Sequence, residues 1–291
     1  MSQSGMLSGT SGSLPSNVAQ AYATNSGTAI PAANILNVVG TGATLVSGSG
    51  NTVTINTPLS FTPNSVVTMY EEFCGYFANT GLYVSQLGIF MTGPISQAFN
   101  VATTTSNGHP GVIHSSEISA ADSFKLIVMA HPSPTANNFI LGGGILSINW
   151  IVNIATLSDV TNSYTLYLGL GNPTASASEP TDGVYFAYTH GTNSGNWVGK
   201  ASNASSQSSA NSSDAVSAGT WVNLGITVNA DATSVSFYVN GVEIANSPLA
   251  TNIPTVAINP FLLAIRSAGT VPANAIRVDA LYLTQTLTTP R

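Results

Sequence analysis

From residue 66 onward, apolar side chains recur in short runs that alternate with polar ones. The clearest runs are residues 124–130, 164–169, 183–189, 221–228, 234–239 and 277–284. Period-two alternation over so few residues is the mark of half-buried strands. No run sustains the 3.6-residue period of a helix. Asn107-Gly108, Asn172-Pro173 and Asn240-Gly241 punctuate the runs with turn chemistry. Strands at this spacing predict an all-β, antiparallel jelly-roll sandwich over residues 66–291.

One hairpin is explicit. Residues 234–245 read SVSFYVNGVEIA, two alternating strands around Asn240-Gly241. Both central residues tolerate positive φ, as a type I′ turn requires. Residues 221–228 precede it, and Trp221, Leu224, Phe237 and Val239 are expected to face the core. The apolar stretch 139–157 is about long enough to span a bilayer. Gly142-Gly143-Gly144 interrupts it, and Asn149 and Asn153 would need partners in lipid. A turn followed by a buried strand over 145–155 is the expectation instead. The tract 201–213, ASNASSQSSANSS, offers no large packing side chain and is expected to be a surface loop.

The N-terminal region follows another pattern. Residues 1–18 are rich in Ser and Gly. Between 19 and 58, three short apolar runs (32–40, 43–46 and 52–55) are separated by Gly and Ser. They predict short strands joined by tight turns. So small a unit cannot bury a core alone. Around a three-fold axis, Ile35, Leu36, Val38, Val39, Leu45, Val46, Val53 and Ile55 of three chains would make one. Residues 1–58 are thus expected to anchor and oligomerise, 59–65 to link, and 66–291 to form the sandwich.

Charge narrows the function. Five Lys plus Arg and eleven Asp plus Glu make only 5% of 291 residues charged, against about 25% in an ordinary domain. Ser, Thr, Asn and Gly supply the polar surface. Such a surface suits packing of identical copies, because like charges facing one another are destabilising. The scattered cations exclude a nucleic-acid footprint, which needs clustered Lys and Arg. Cys74 stands alone, so no intrachain disulfide is expected, and a buried thiol is its ordinary role. The start, MSQSG, has neither basic nor apolar leader character.

Three sequence pieces carry a resemblance. They are W-x-x-L-x-I-x-V at 221–228, F-Y-V-N-G-V at 237–242 and R-V-D-A-L-Y-L-T at 277–284. In this order they resemble concanavalin-A-like and laminin-G-like jelly rolls. Glu71-Glu72-Phe73, His109-Pro110-Gly111-Val112 and DGVYF at 182–186 resemble, in sequence order, sandwich domains of bacteriophage tail-fibre and other virion proteins. Residues 24–56 resemble a recurrent phage tail-protein segment. The resemblance implies a homotrimeric, receptor-binding virion protein on the particle's outer surface. The N-terminal segment would join other virion proteins and the lectin-like domain would face a host glycan. Capsid decoration or head fibre is the structural alternative, and a polysaccharide-degrading enzyme the catalytic one.

Catalytic residues are not apparent. Glycoside hydrolysis needs two carboxylates facing one bond. Adjacent Glu71 and Glu72 point to opposite faces of a strand. The expected arrangement is one exposed and one bonded to a loop. His109 and His114 have opposite parity, and His109 before Pro110-Gly111 reads as a turn residue, so no metal site is expected. Calcium through Asp182 or Asp231 lacks a dense acidic loop. The stretch YTHGTNSGNW nominates Tyr188, His190, Asn193, Asn196 and Trp197 as a carbohydrate or receptor site. The alternative is that Tyr188 and Trp197 end a hairpin and pack into the sandwich.

Overall fold

In this computed structural model the described residues are 22–24, 27–29, 45–49, 52–56, 65–73, 82–83, 89–92, 99–101, 108–109, 111–120, 123–129 and 137–289. The chain divides into two compact units, Met1–Thr62 and Pro63–Arg291. In the first, β1 (Tyr22–Thr24) pairs with β2 (Gly27–Ala29), and β3 (Leu45–Ser49) with β4 (Thr52–Asn56). Residues 32–40, with Ile35, Leu36, Val38 and Val39, lie outside the described residues. Leu45 and Val46 belong to β3, Val53 and Ile55 to β4. Val46 stands opposite Ile55, and Val53 opposite Gly48.

The second unit is a sandwich of two antiparallel sheets. Its strands are β5 (Val66–Glu71), β6 (Leu82–Tyr83), β7 (Ile89–Thr92), β8 (Phe99–Val101), β9 (Ile113–Ser115), β10 (Phe124–Met129), β11 (Gly144–Ile154) and β12 (Tyr164–Gly171). There follow β13 (Gly183–Thr189), β14 (Asn196–Asn203), β15 (Ser206–Ala215), β16 (Trp221–Val228), β17 (Val235–Val239), β18 (Val242–Glu243), β19 (Asn259–Arg266) and β20 (Ile276–Leu287). The first sheet runs β15-β14-β13-β12-β19-β10-β7-β6. The second runs β18-β17-β16-β11-β20-β9-β8, and β5 also pairs with β20. One 3-10 turn, Thr192–Gly195, joins β13 to β14. This is the jelly-roll architecture that the alternation predicts.

Alternate residues of both sheets build the core. The second sheet contributes Leu146, Ile148, Trp150, Leu224, Ile226, Phe237, Leu281 and Leu283. The first contributes Ile127, Leu166, Leu168, Val184, Phe186, Trp197 and Leu262. Removing one such aromatic ring costs about 3–5 kcal/mol. The central strands of the first sheet are apolar on their outer face too. Phe124, Leu126, Val128, Tyr167, Tyr185, Phe261 and Leu263 form a second buried cluster there. That is why residues 126–129 and 261–265 read as continuous apolar runs, as strands buried on both faces do.

The Asn240-Gly241 turn has φ of 51° and 81°, so both residues occupy the left-handed region that type I′ demands. The apolar stretch 139–157 contains a turn at 141–142 and then β11. Among the described residues no helix is long and apolar enough to cross a membrane.

Two expectations are corrected. Residues 201–213 are not a loop. They form the end of β14, a two-residue turn, and most of β15, at the edge of the first sheet. Ladder bonds belong to the backbone, so small hydroxyl side chains permit pairing. Ala210 and Ser212 are buried while their neighbours face solvent. The turn residues Ala204 and Ser205 both have positive φ, without the Asn or Gly that would announce it. Trp221 is not in the core either. Leu224, Ile226 and Val228 point inward, and Trp221 lies three positions before Leu224. An odd separation puts it on the opposite face. Leu224, Phe237 and Val239 are buried as expected.

Candidate functional site

The outer face of the first sheet carries a cleft of about 250 Å³ across β12, β13 and β14. Register explains it. Ala187 stands between Tyr167 on β12 and Val198 on β14. Two small aliphatic side chains beside a large phenol leave a depression. Thr165, Thr189, Thr192 and Asn196 add hydroxyls and an amide to its wall, and Lys200 adds a cation. Tyr167, Ala187 and Val198 are themselves buried and form the floor, and groups that donate and accept hydrogen bonds ring it.

Lys200 is held in place. Its Nζ donates to Glu179 Oε1 at 2.6 Å and to Gln207 Oε1 at 3.3 Å. The Tyr185 hydroxyl donates to the same Glu179 oxygen at 3.0 Å. Lys200 Nζ also lies 6.0 Å from the centroid of the Tyr167 ring, within cation–π range. Burial, reinforced by the Glu179 charge, pushes the Tyr167 and Tyr185 phenols well above their ordinary range.

Of the five residues nominated from sequence, Asn196 and Tyr188 border this cleft. Tyr188 is nevertheless buried, and its hydroxyl accepts the Ser158 N–H. Trp197 is buried with its ring 5.7 Å from that of Tyr188. The two rings end a hairpin and pack into the core, so they offer no exposed platform. Asn193 donates to the carbonyls of Trp197 and Ser212, which closes the loop. His190 is exposed. Thr165, Tyr167 and Lys200 escaped the sequence reading. For Thr165 and Tyr167 the signal was the outward parity of YTLYL, in which Leu166 and Leu168 point inward.

Glu71 is buried, with Oε1 accepting the Phe73 N–H at 3.0 Å. Glu72 is exposed and accepts the Tyr70 hydroxyl. They do not converge. Asp182 accepts three donors: Asn172 Nδ2 at 3.0 Å, Thr181 Oγ1 at 2.9 Å and the Ala204 N–H at 2.8 Å. Asp231 bonds to Thr233, whose hydroxyl holds the carboxylate below its usual range. No group of three His, Cys, Asp or Glu residues is placed to share a metal among the described residues. Cys74 and His131 lie outside those residues.

On the outer face of the second sheet, His109 Nδ1 donates to Asp279 Oδ2 at 2.7 Å, and its ring stacks on Trp221 at 4.2 Å. Asp279 is the extra residue of a β-bulge. Ile151 pairs with Ala280, whereas Val152 pairs with Val278. Bulges re-aim side chains in this way. The His109 environment is thus set by β20 and β16, not by a turn alone.

The fold is that of a lectin-like jelly-roll sandwich. Residues 109–279 match the family described as SO2946-like, C-terminal domain, and the chain belongs to that family. The protein of unknown function SO2946 from Shewanella oneidensis MR-1 is similar in structure, with a TM-score of 0.53 at 12% identity, covering 77% of this chain and 89% of that one. The Emp47p carbohydrate recognition domain has a TM-score of 0.50 at 8% identity, covering 76% and 95%. An endo-1,3-beta-glucanase from Streptomyces sioyaensis has a TM-score of 0.48 at 12% identity, covering 76% and 97%. No curated protein matches the chain in sequence.

Proposed function

We propose that this protein recognises carbohydrate without cleaving it, as a receptor-binding component on the outer surface of a bacteriophage particle. The cleft beside Lys200 is the observation that carries the reading. It presents a phenol, hydroxyls, an amide and one fixed cation, the chemistry a polyhydroxylated ligand needs. Glu179, bonded to that cation, lies outside the cleft lining, and none of the described residues lining the cleft is a carboxylate, so the acid pair of hydrolysis is missing from its wall. The likeness to a carbohydrate recognition domain supports the reading at the level of fold.

The virion role rests on the phage-like segment at residues 24–56 and on the charge-poor composition. In this reading the N-terminal unit assembles a homotrimer and attaches it to the particle, and the sandwich faces the host.

The test is titration of the full chain with a panel of bacterial surface oligosaccharides. Binding without release of shorter products, weakened on the order of tenfold by Asn196→Ala and Lys200→Ala, is expected. Depolymerisation, or binding indifferent to both changes, overturns the cleft reading. Light scattering reads the trimer directly, and a monomer at micromolar concentration removes it.

A further inference from the structure

The outer face of the second sheet holds a row that crosses five strands. Tyr70 on β5 pairs with Tyr282 on β20, and Tyr282 with Asn149 on β11. Asn149 pairs with Gly225 on β16, and Gly225 with Tyr238 on β17. Directly opposed residues share a face, and the residues alternating with them (Ile148, Leu283, Ile226 and Phe237) belong to the core. The row therefore lies on the surface. Tyr70 and Tyr282 are each 41% exposed, with ring centroids 6.2 Å apart. Tyr238 is partly exposed.

Gly225 shapes the middle. A Cβ there would lie 2.9 Å from Asn149 Oδ1 and 3.4 Å from Tyr238 Cβ. The Asn149 amide thus occupies the gap that the missing side chain leaves, between the tyrosines at either end. Beside this row runs a second: Thr68, Thr284, Ser147, Thr227 and Ser236, paired in the same order. Ser147 Oγ and Thr227 Oγ1 are 3.1 Å apart. Carboxylates bound the tyrosine row: Glu72 accepts the Tyr70 hydroxyl at one end, and Glu243 on β18 pairs with Tyr238 at the other.

We propose that this face is a second glycan-binding surface, a flat strip that takes an uncharged polysaccharide chain. The C–H face of a pyranose carries slight positive charge and packs on the negative face of a phenol ring. Its hydroxyls find the Ser and Thr row and the Asn149 amide. The carboxylates at the two ends repel an anionic ligand, which selects a neutral glycan. Tyr282 and Tyr238 stand three strand spacings apart, about 14 Å. That span suits several consecutive sugars and not a single one. The strip is independent of the cleft beside Lys200, which belongs to the other sheet and carries a fixed cation.

Titration of the full chain with cellohexaose, maltohexaose, laminarihexaose and chitohexaose, read by calorimetry and ligand-observed NMR, tests it. At least one neutral hexaose binds, Tyr282→Ala and Tyr238→Ala each weaken it on the order of tenfold, and Ser209→Ala, on the exposed edge strand of the other sheet, leaves it unchanged. Tyr282→Phe keeps most of the affinity, since the ring and not the hydroxyl is the platform. Unaltered circular dichroism confirms that the alanine variants fold. Binding lost in Lys200→Ala but kept in Tyr282→Ala overturns the strip and leaves the cleft reading standing. Binding of none of the four overturns the strip, as does a concentration-dependent dimer abolished by Tyr282→Ala, which makes the face a self-contact.

Discussion

His109 and Asp279, 170 positions apart, are joined by a 2.7 Å hydrogen bond under which Trp221 lies stacked. The bond connects the segment before β9 to the bulge of β20, and its partners mark the two ends of the family match. A hydrogen bond to a largely buried carboxylate stabilises more than a neutral one. His109→Ala and Asp279→Ala should each destabilise the fold by about 1–2 kcal/mol. Trp221 should lose its stacked ring in His109→Ala, and tryptophan emission should shift to the red. Chemical unfolding and fluorescence measure both, and an unchanged spectrum would show that the stack is not maintained in solution.

Phe237 depends on an empty position across the sandwich. A Cβ on Gly199 would come within 2.5–2.8 Å of three Phe237 ring atoms. The contact is with the base of a rigid ring in the core, which cannot swing aside. Gly199→Ala should therefore cost about 1–3 kcal/mol through overpacking. Ser209→Ala, on the exposed neighbouring strand, should stay within about 0.5 kcal/mol. Equal midpoints for the two variants would show that β14 relaxes away from β17.

These contacts show what the sequence made legible. The Asn240-Gly241 turn and the inward set Leu224, Phe237 and Val239 follow from local pattern, because each obeys a period of two beside an explicit turn. The Ser-rich pair β14–β15 does not. Its register comes from backbone bonds to a neighbour already in place, and its turn at Ala204-Ser205 uses residues that ordinarily avoid positive φ. Trp221 was misplaced because W-x-x-L was read as one face, although its spacing is odd. The cleft needed three strands aligned before Ala187 could become its floor. Tyr188 and Trp197 sat close enough in sequence to suggest a platform, yet strand parity sends both inward.

Asp182 is a staple between loops. The bond it accepts from the Ala204 N–H ties the β12–β13 connection to the β14–β15 turn, and its own N–H donates to Asn172 Oδ1 at 2.9 Å. Asp182→Ala should leave the Ala204 N–H without its acceptor. Amide exchange at Ala204 and along β15 should accelerate, with a stability loss of about 1–3 kcal/mol. Protection of Ala204 retained in the variant would locate the tie elsewhere.

Stability should pass through a maximum on the alkaline side of neutrality. Lys125 is buried on β10, and burial lowers its ammonium from 10.5 to about 8 despite the opposing pull of Glu117. Between about pH 8 and 10.5 the unfolded chain holds more protons at this site than the folded one. Stability consequently rises with pH across that window. The full gain is on the order of 3 kcal/mol. Tyr164, Tyr167 and Tyr185 act in the opposite sense. Burial raises all three phenols above their ordinary value of 10. Above about pH 10 the unfolded chain loses these protons first, and stability falls as pH rises further. Urea unfolding from pH 7 to 11 should show a rise to near pH 10 and then a decline. Lys125→Met should flatten the rise and leave the decline intact. A curve that falls from pH 8 onward in the native chain would place the Lys125 ammonium in water and not in the sandwich.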